Sequence, residues 1–168
     1  MLRRFRAEDA EAFSAYRSDP NVARYQSWDA PVSVEEAARQ IMRFAVTDPG
    51  APGWSQYAVE HRAEGVLIGD VGVRLEDNLM QAEIGFTFAP AFHGKGYAAE
   101  AVRCVLGGLF AGGLHRVSAG CDARNTASAR LLERLGFRRE GHRVEFTWIK
   151  GEWTDELLFG LLARDWRT

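Results

Sequence analysis

The residues best placed to do chemistry lie in Phe92-His93-Gly94-Lys95-Gly96-Tyr97-Ala98-Ala99-Glu100-Ala101, where two glycines flank a lysine at the mouth of a helical pattern. Downstream, Ala98, Ala101, Val102, Val105 and Leu109 recur at helical spacing until Gly112-Gly113 ends the repeat. Upstream, Ala82, Ile84, Phe86 and Phe88 alternate as in a strand that Pro90 closes. The glycines therefore sit at a strand-to-helix junction. The first N–H groups of a helix lack partners there, and residues without side chains let an anion approach them, so the expected chemistry is phosphate binding by main-chain amides. Two common phosphate loops do not fit. A P-loop needs Gly-Lys followed by Ser or Thr and the dinucleotide fingerprint needs GxGxxG, whereas Gly96 is followed by Tyr97-Ala98.

A second group lies in Asp122–Phe137. Asn125 is a natural N-cap and Gly136 a natural C′ residue, so the segment reads as a short helix with both ends marked. Ser128 is spaced with Leu131, Leu132 and Leu135 and falls on the inward face at the helix start, where a hydroxyl needs a partner or a ligand.

These groups need a scaffold. Leu2–Phe5 reads as a first strand and Glu8–Arg17 as a helix, with Ala12, Phe13 and Tyr16 on its apolar side and Asp19-Pro20-Asn21 as its stop. Val22–Trp28 is aromatic without a clean period; Tyr25 and Trp28 suit either core packing or the lining of a substrate groove. Ser33-Val34-Glu35-Glu36 is a capping-box pattern opening a helix to about Val46. Tyr57–His61, Val66–Leu75 and Met80–Phe88 are strand-length runs spaced for an antiparallel meander. Gly69, Gly72 and Gly85 inside them call for a close approach of backbone or ligand, or for a bulge beside the glycine loop. Arg116–Cys121 is a further strand, and the helix before it allows it to run parallel to Ala82–Phe88 by a right-handed crossover. Val144–Ile149, a turn at Lys150-Gly151-Glu152 and Trp153–Leu162 form a closing hairpin.

Composition narrows the function classes. With 168 residues, 46% hydrophobic and 26% charged, the chain is expected to form one domain over residues 1–168. A formal charge of −2 with interspersed signs gives no stripe for nucleic acid, and no membrane-spanning run or secretory leader is visible, so a cytoplasmic protein is expected. Cys104 and Cys121 read as small core residues in a reducing compartment. The four histidines (His61, His93, His115, His142) lack HxxxH or CxxC spacing, so no metal is expected.

Taken together, His93-Gly94-Lys95-Gly96-Tyr97-Ala98, Asn125 with Ser128, and Leu131-Leu132-Glu133-Arg134-Leu135-Gly136-Phe137 resemble the GNAT (Gcn5-related) N-acetyltransferases. Within them the chain is similar to the RimJ/RimL-type branch, the ribosomal-protein-alanine N-acetyltransferases and their small-molecule-directed relatives. Glu83-Ile84-Gly85-Phe86, Glu140-Gly141 and Gly151-Glu152-Trp153-Thr154-Asp155 extend the resemblance over nearly the whole chain. His93 departs from the family's Arg or Gln, a mild change because the cradle is made of backbone amides.

The resemblance implies an α/β (α+β) acyl-CoA acyltransferase fold, a mixed and mostly antiparallel sheet with a splayed parallel strand pair and flanking helices. It implies that N–H groups from Gly94 through Ala98 hold the pyrophosphate of acetyl-CoA, with Lys95 either adding a charge contact or remaining a solvated loop lysine. The pantetheine arm would lie between the splayed strands on the open backbone groups of Phe86 and Phe88. Asn125 would contact coenzyme A, and Ser128 would donate to its departing thiolate.

Acetyl transfer to an amine also needs a proton acceptor, because an alkylamine of pKa about 10 is cationic at neutral pH. Glu83, on one strand face with Gly85 and Thr87, is the first candidate and a substrate contact; Glu145 is the second, although counting back from Gly151 reaches Thr147, and a water chain is a third. Neither cysteine has an activating partner, so direct attack by the amine is expected rather than an acyl-enzyme. The acceptor is a peptide N-terminus or a small-molecule amine, and the chain a monomer or homodimer. A non-catalytic acyl-CoA-binding sensor would keep the glycine cradle without base and acid.

Overall fold

The computed structural model describes residues 1–167. Seven strands form one sheet: β1 (Leu2–Arg3), β2 (Gly53–His61), β3 (Val66–Leu75), β4 (Gln81–Phe88), β5 (Arg116–Asp122), β6 (Arg138–Ile149) and β7 (Glu152–Leu162), in the order β1-β2-β3-β4-β5-β7-β6. Among the described residues five α-helices flank it: α1 (Ala10–Arg17), α2 (Pro20–Ala23), α3 (Val34–Val46), α4 (Tyr97–Ala111) and α5 (Thr126–Arg134). The mixed sheet and its single parallel pair, β4 with β5, are those expected from the sequence. Among the described residues no helix is long and apolar enough to cross a membrane.

Alternation along the strands sends apolar side chains to two layers, one on each side of the sheet. Ala82, Ile84, Val117, Ala119, Leu157, Phe159 and Leu161 pack with Val102 and Leu106 of α4 and Leu131 and Leu132 of α5. On the other side, Ala58 and Leu67 pack with Phe13 and Tyr16 of α1 and Ala37 and Ile41 of α3. Ser33 caps α3 by accepting the N–H of Glu36 at 3.1 Å.

The feature that positions the site is the short reach of the parallel pair. Only Gln81↔Arg116, Ala82↔Val117 and Glu83↔Ser118 face each other. Beyond them β4 stays with β3 as far as Phe88↔Gly69, while β5 stays with β7 as far as Asp122↔Glu156. The two strands thus separate toward their C-terminal ends, where α4 and α5 begin.

Several elements differ from the sequence expectation. The first strand ends at Arg3, because Phe5 turns inward to meet Phe13 and Phe44. Asp19 starts a helix as well as stopping one: its carboxylate accepts the N–H groups of Asn21 and Val22 and caps α2. The last hairpin is longer than expected because β6 begins at Arg138, in a charged run that hides strand alternation. A bulge does occur beside Gly69, on the β2 side of β3: Val59↔Gly69 is followed by Glu60↔Leu67, leaving Ile68 as the extra residue, while the β3–β4 register runs unbroken.

Candidate functional site

The glycine loop has the backbone that an anion cradle requires. Gly94 and Gly96 have φ of 72° and 87°, a region that strongly favours glycine, and Gly96 is the N-cap of α4. The first bond of the helix runs from the N–H of Glu100 to the carbonyl of Gly96 at 3.0 Å. The N–H groups of Gly94, Lys95, Gly96, Tyr97 and Ala98 have no acceptor among the described residues. These donors converge on the positive end of the α4 dipole, which makes the turn able to bind phosphate.

The side chains of the loop serve mainly to hold it. His93 Nε2 donates to the carbonyl of Phe88 at 2.7 Å, fastening the turn to the end of β4. Tyr97 bonds through its hydroxyl to His61 Nε2 at 2.9 Å, and Lys95 Nζ lies 5.6 Å from the centre of the Phe92 ring. Of the two residues whose backbone was expected to be open, Phe88 therefore has its carbonyl already engaged. The odd–even pattern of the β3–β4 ladder directs the main-chain groups of Phe86 toward the gap, because Ala89 bonds Ile68 and alternate residues thus face β3.

Across the gap, Asn125 Oδ1 accepts the N–H of Ser128 at 3.2 Å and so performs the capping expected of it. Ser128 itself is half-buried, and its hydroxyl makes no hydrogen bond among the described residues. Capping therefore does not account for the hydroxyl.

Glu83 lies on the opposite side of the sheet from α5. Its carboxylate accepts from Arg74 Nη2 at 2.7 Å, and the same guanidinium reaches Glu76 at 3.0 Å. Carboxylate and hydroxyl candidates thus approach the gap from opposite faces, a geometry that lets one group enter from each side. Glu145 is exposed, with φ of 46°, in a bulge of β6 where Arg143↔Glu156 and Thr147↔Thr154 bracket the irregularity. The bulge breaks strand alternation between Glu145 and Thr147, so counting along the strand does not place Glu145. The N–H of Glu145 donates to Asp155 Oδ1 at 2.9 Å, and His142 Nε2 lies 2.7 Å from Asp155 Oδ2. Those two bonds hold the Asp155 carboxyl below the usual range.

Sequence reasoning missed a buried polar cluster beneath the Glu83 face. Asp70 is fully buried and accepts from the Tyr16 hydroxyl, from Arg17 Nη2 at 3.0 and 3.2 Å, and from Gln56 Nε2. Burial, then the negative charge of Asp70, raises the Tyr16 hydroxyl well above the ordinary tyrosine value, so it stays a donor. The available signal was a carboxylate inside the apolar run Val66–Val73, which cannot remain without partners. Trp28 belongs to this cluster: its indole lies 4.0 Å from the Arg17 guanidinium and donates to the Arg17 carbonyl at 3.0 Å. Tyr25 lies farther out, with the guanidinium of Arg124 5.8 Å from its ring centre. Arg124 joins Asp122 to Glu152, and Lys150 donates to the carbonyl of Ala23, so the closing hairpin is tied to α2 and to the turn after β5.

Cys121 is a poor nucleophile. Burial, reinforced by Asp122, pushes the Cys121 thiol up to about 11, while Cys104 lies exposed on α4.

Comparison with known proteins bears on the same site. Residues 1–138 match the family model described as an acetyltransferase (GNAT) domain. The chain is 32% identical over 167 residues to an uncharacterized N-acetyltransferase of Bacillus subtilis, YnaD, covering 99% of this chain and 95% of that protein. The crystal structure of a GNAT-family acetyltransferase from Bacillus anthracis is similar with a TM-score of 0.86 and 30% identity, over 97% of this chain and 94% of that chain. Spermidine N-acetyltransferase from Vibrio cholerae, solved with CoA and spermine, shares the fold with a TM-score of 0.83 and 24% identity, over 98% of this chain and 96% of that chain.

Proposed function

This chain belongs to the GNAT acetyltransferase family, and on that basis we propose that it transfers an acetyl group from acetyl-CoA directly to a primary amine, on a protein N-terminus or a small molecule. The observation that carries the reading is the parting of β4 and β5 beyond Glu83↔Ser118, next to the unpartnered amides of Gly94–Ala98. A diphosphate on those amides places the rest of a coenzyme A chain along the gap. The solved relative with CoA and spermine supports the cofactor half by fold.

In this reading the thioester supplies the acyl group and a thiolate leaving group. The amine nitrogen forms the new C–N bond as the C–S bond breaks. Glu83 takes the amine's proton, directly or through water; Arg74 Nη2, 2.7 Å from Glu83 Oε2, orients the carboxylate. A main-chain N–H of β4 polarises the carbonyl. The Ser128 hydroxyl donates to the sulfur from the α5 side. With a hydroxyl so weakly acidic, its contribution is stabilisation of the thiolate more than proton transfer. Tyr25 flanks the acceptor entrance.

The decisive experiment combines calorimetric binding of CoA with thiol release from acetyl-CoA in the presence of peptide N-termini, polyamines and aminoglycosides. Amine-dependent release above background is expected. Tight CoA binding with no turnover on any acceptor would identify a sensor instead.

A further inference from the structure

Gly85 sits two residues beyond the last β4–β5 pair, and nothing in the protein requires a glycine there. Its φ lies outside the positive range, and a Cβ built on it would meet no atom within 4 Å. Its partner across the ladder, Gly72, is different. A Cβ at Gly72 would come within 2.7 Å of Gln56 Oε1 and 3.2 Å of Trp54 Cζ3. The Gln56 amide and the Trp54 indole therefore lie across Gly72, on the Glu83 side of the sheet, while the adjoining space over Gly85 stays open.

The Gln56 amide has a fixed orientation. Asp70 can only accept, so the amide group turned toward it must be Nε2, and Asp70 is itself held by Tyr16 and Arg17. That leaves Oε1 on the side away from Asp70, where it has no hydrogen-bond donor among the described residues. A strand glycine with no structural reason thus adjoins a carbonyl oxygen with free lone pairs, at the place where the strands part.

Resting on the transferase reading above, we infer that Gln56 determines acceptor specificity: its Oε1 accepts an N–H of the amine seated over Gly85, and Trp54 flanks the amine's carbon chain. A neutral primary amine has two N–H groups and one lone pair. Donating an N–H to Gln56 restricts the rotation of that lone pair and turns it toward the gap. Asp70 is the positioning residue that holds Gln56.

The test uses Gly85→Ala, Gln56→Leu and Gln56→Asn in the full chain, with spermidine and an alanine-terminated peptide as acceptors. Gly85→Ala should leave the melting temperature and the Kd for CoA unchanged while kcat/KM for the amine falls at least about tenfold, because the added methyl occupies only the acceptor's space. Gln56→Leu should raise the KM for the amine about tenfold or more, with the KM for acetyl-CoA within about twofold. Gln56→Asn keeps the amide but cannot reach Asp70 and the amine together; it decides the point if the leucine variant does not fold. Wild-type amine kinetics in Gly85→Ala and in whichever Gln56 variant folds would overturn the inference alone. A wild-type protein that binds CoA but acetylates no amine would instead remove the transferase reading beneath it.

Discussion

Glu83 of β4 and Ser118 of β5 are the last residues of their strands to stand opposite each other. One step later the sheet divides. Glu83 lies on the α1–α3 side, Ser128 enters from α5 on the other, and the unpaired amides before α4 adjoin the wide end of the gap. An acceptor amine and a leaving thiol can therefore occupy different faces of one sheet and meet only where it is open.

Replacing Ser128 by alanine should lower kcat by up to about 100-fold while the Kd for CoA stays within about twofold. Because Asn125 provides the cap, the melting temperature should barely change. Calorimetry and steady-state kinetics on the same sample test this; full retained activity would remove Ser128 from the reaction.

The glycine turn makes a contrasting prediction. An alanine at Gly96 has to adopt φ near 87°, which costs about 1–2 kcal/mol and should lower the melting temperature by about 2–8 °C. Any relaxation of that strain moves the amides, so CoA affinity should fall at least about tenfold. Unchanged CoA binding in a folded Gly96→Ala protein would show that the phosphates lie elsewhere.

Acid stability should depend on Asp9. Burial raises its carboxyl pKa, but the bonds from Arg3 and from the N–H of Arg6 outweigh this, so the folded value lies below that of an unfolded aspartate. A depressed folded value means that the stabilisation is present above the unfolded value, about 3.9, and is lost as the pH falls through the folded one. Thermal melts of wild type and Asp9→Asn should differ most at pH 7 and converge toward pH 2–3. A gap that stays constant would mean that Asp9 acts through packing alone.

Thiol labelling at pH 8 should modify one cysteine rapidly. Cys104 is exposed, whereas the Cys121 thiol is raised to about 11 and is almost entirely protonated at that pH. Mass spectrometry after a brief exposure to iodoacetamide identifies the site. Cys104→Ser should keep full transferase activity, since no acyl-enzyme is required.

Much of this architecture is legible in the sequence because it depends on local rules. Helical spacing after Gly96, the Asn125 cap and the intervening helix between two strands are read from neighbouring residues, and together they give the parallel pair and the cradle. The missed features depend on contacts distant in sequence. Gln56 looks like an ordinary polar strand residue until β3 brings Asp70 and Gly72 to it. Trp28 gives no sequence sign that it covers Arg17, and the position of Glu145 depends on a bulge that breaks the strand count. A glycine inside a strand signals a close approach or a bulge at Gly85, but only the space above it shows that no protein atom needs its missing side chain.

The short parallel ladder also bears on the mechanics of the empty protein. Three residue pairs are all that stitch the β1–β4 leaf to the β5–β7–β6 leaf within the sheet. That seam is where the molecule should flex, and a guest lying along it would act as a splint. Deuterium uptake at the Phe86 amide, rapid in the free protein and slowed by CoA, would register the stiffening directly.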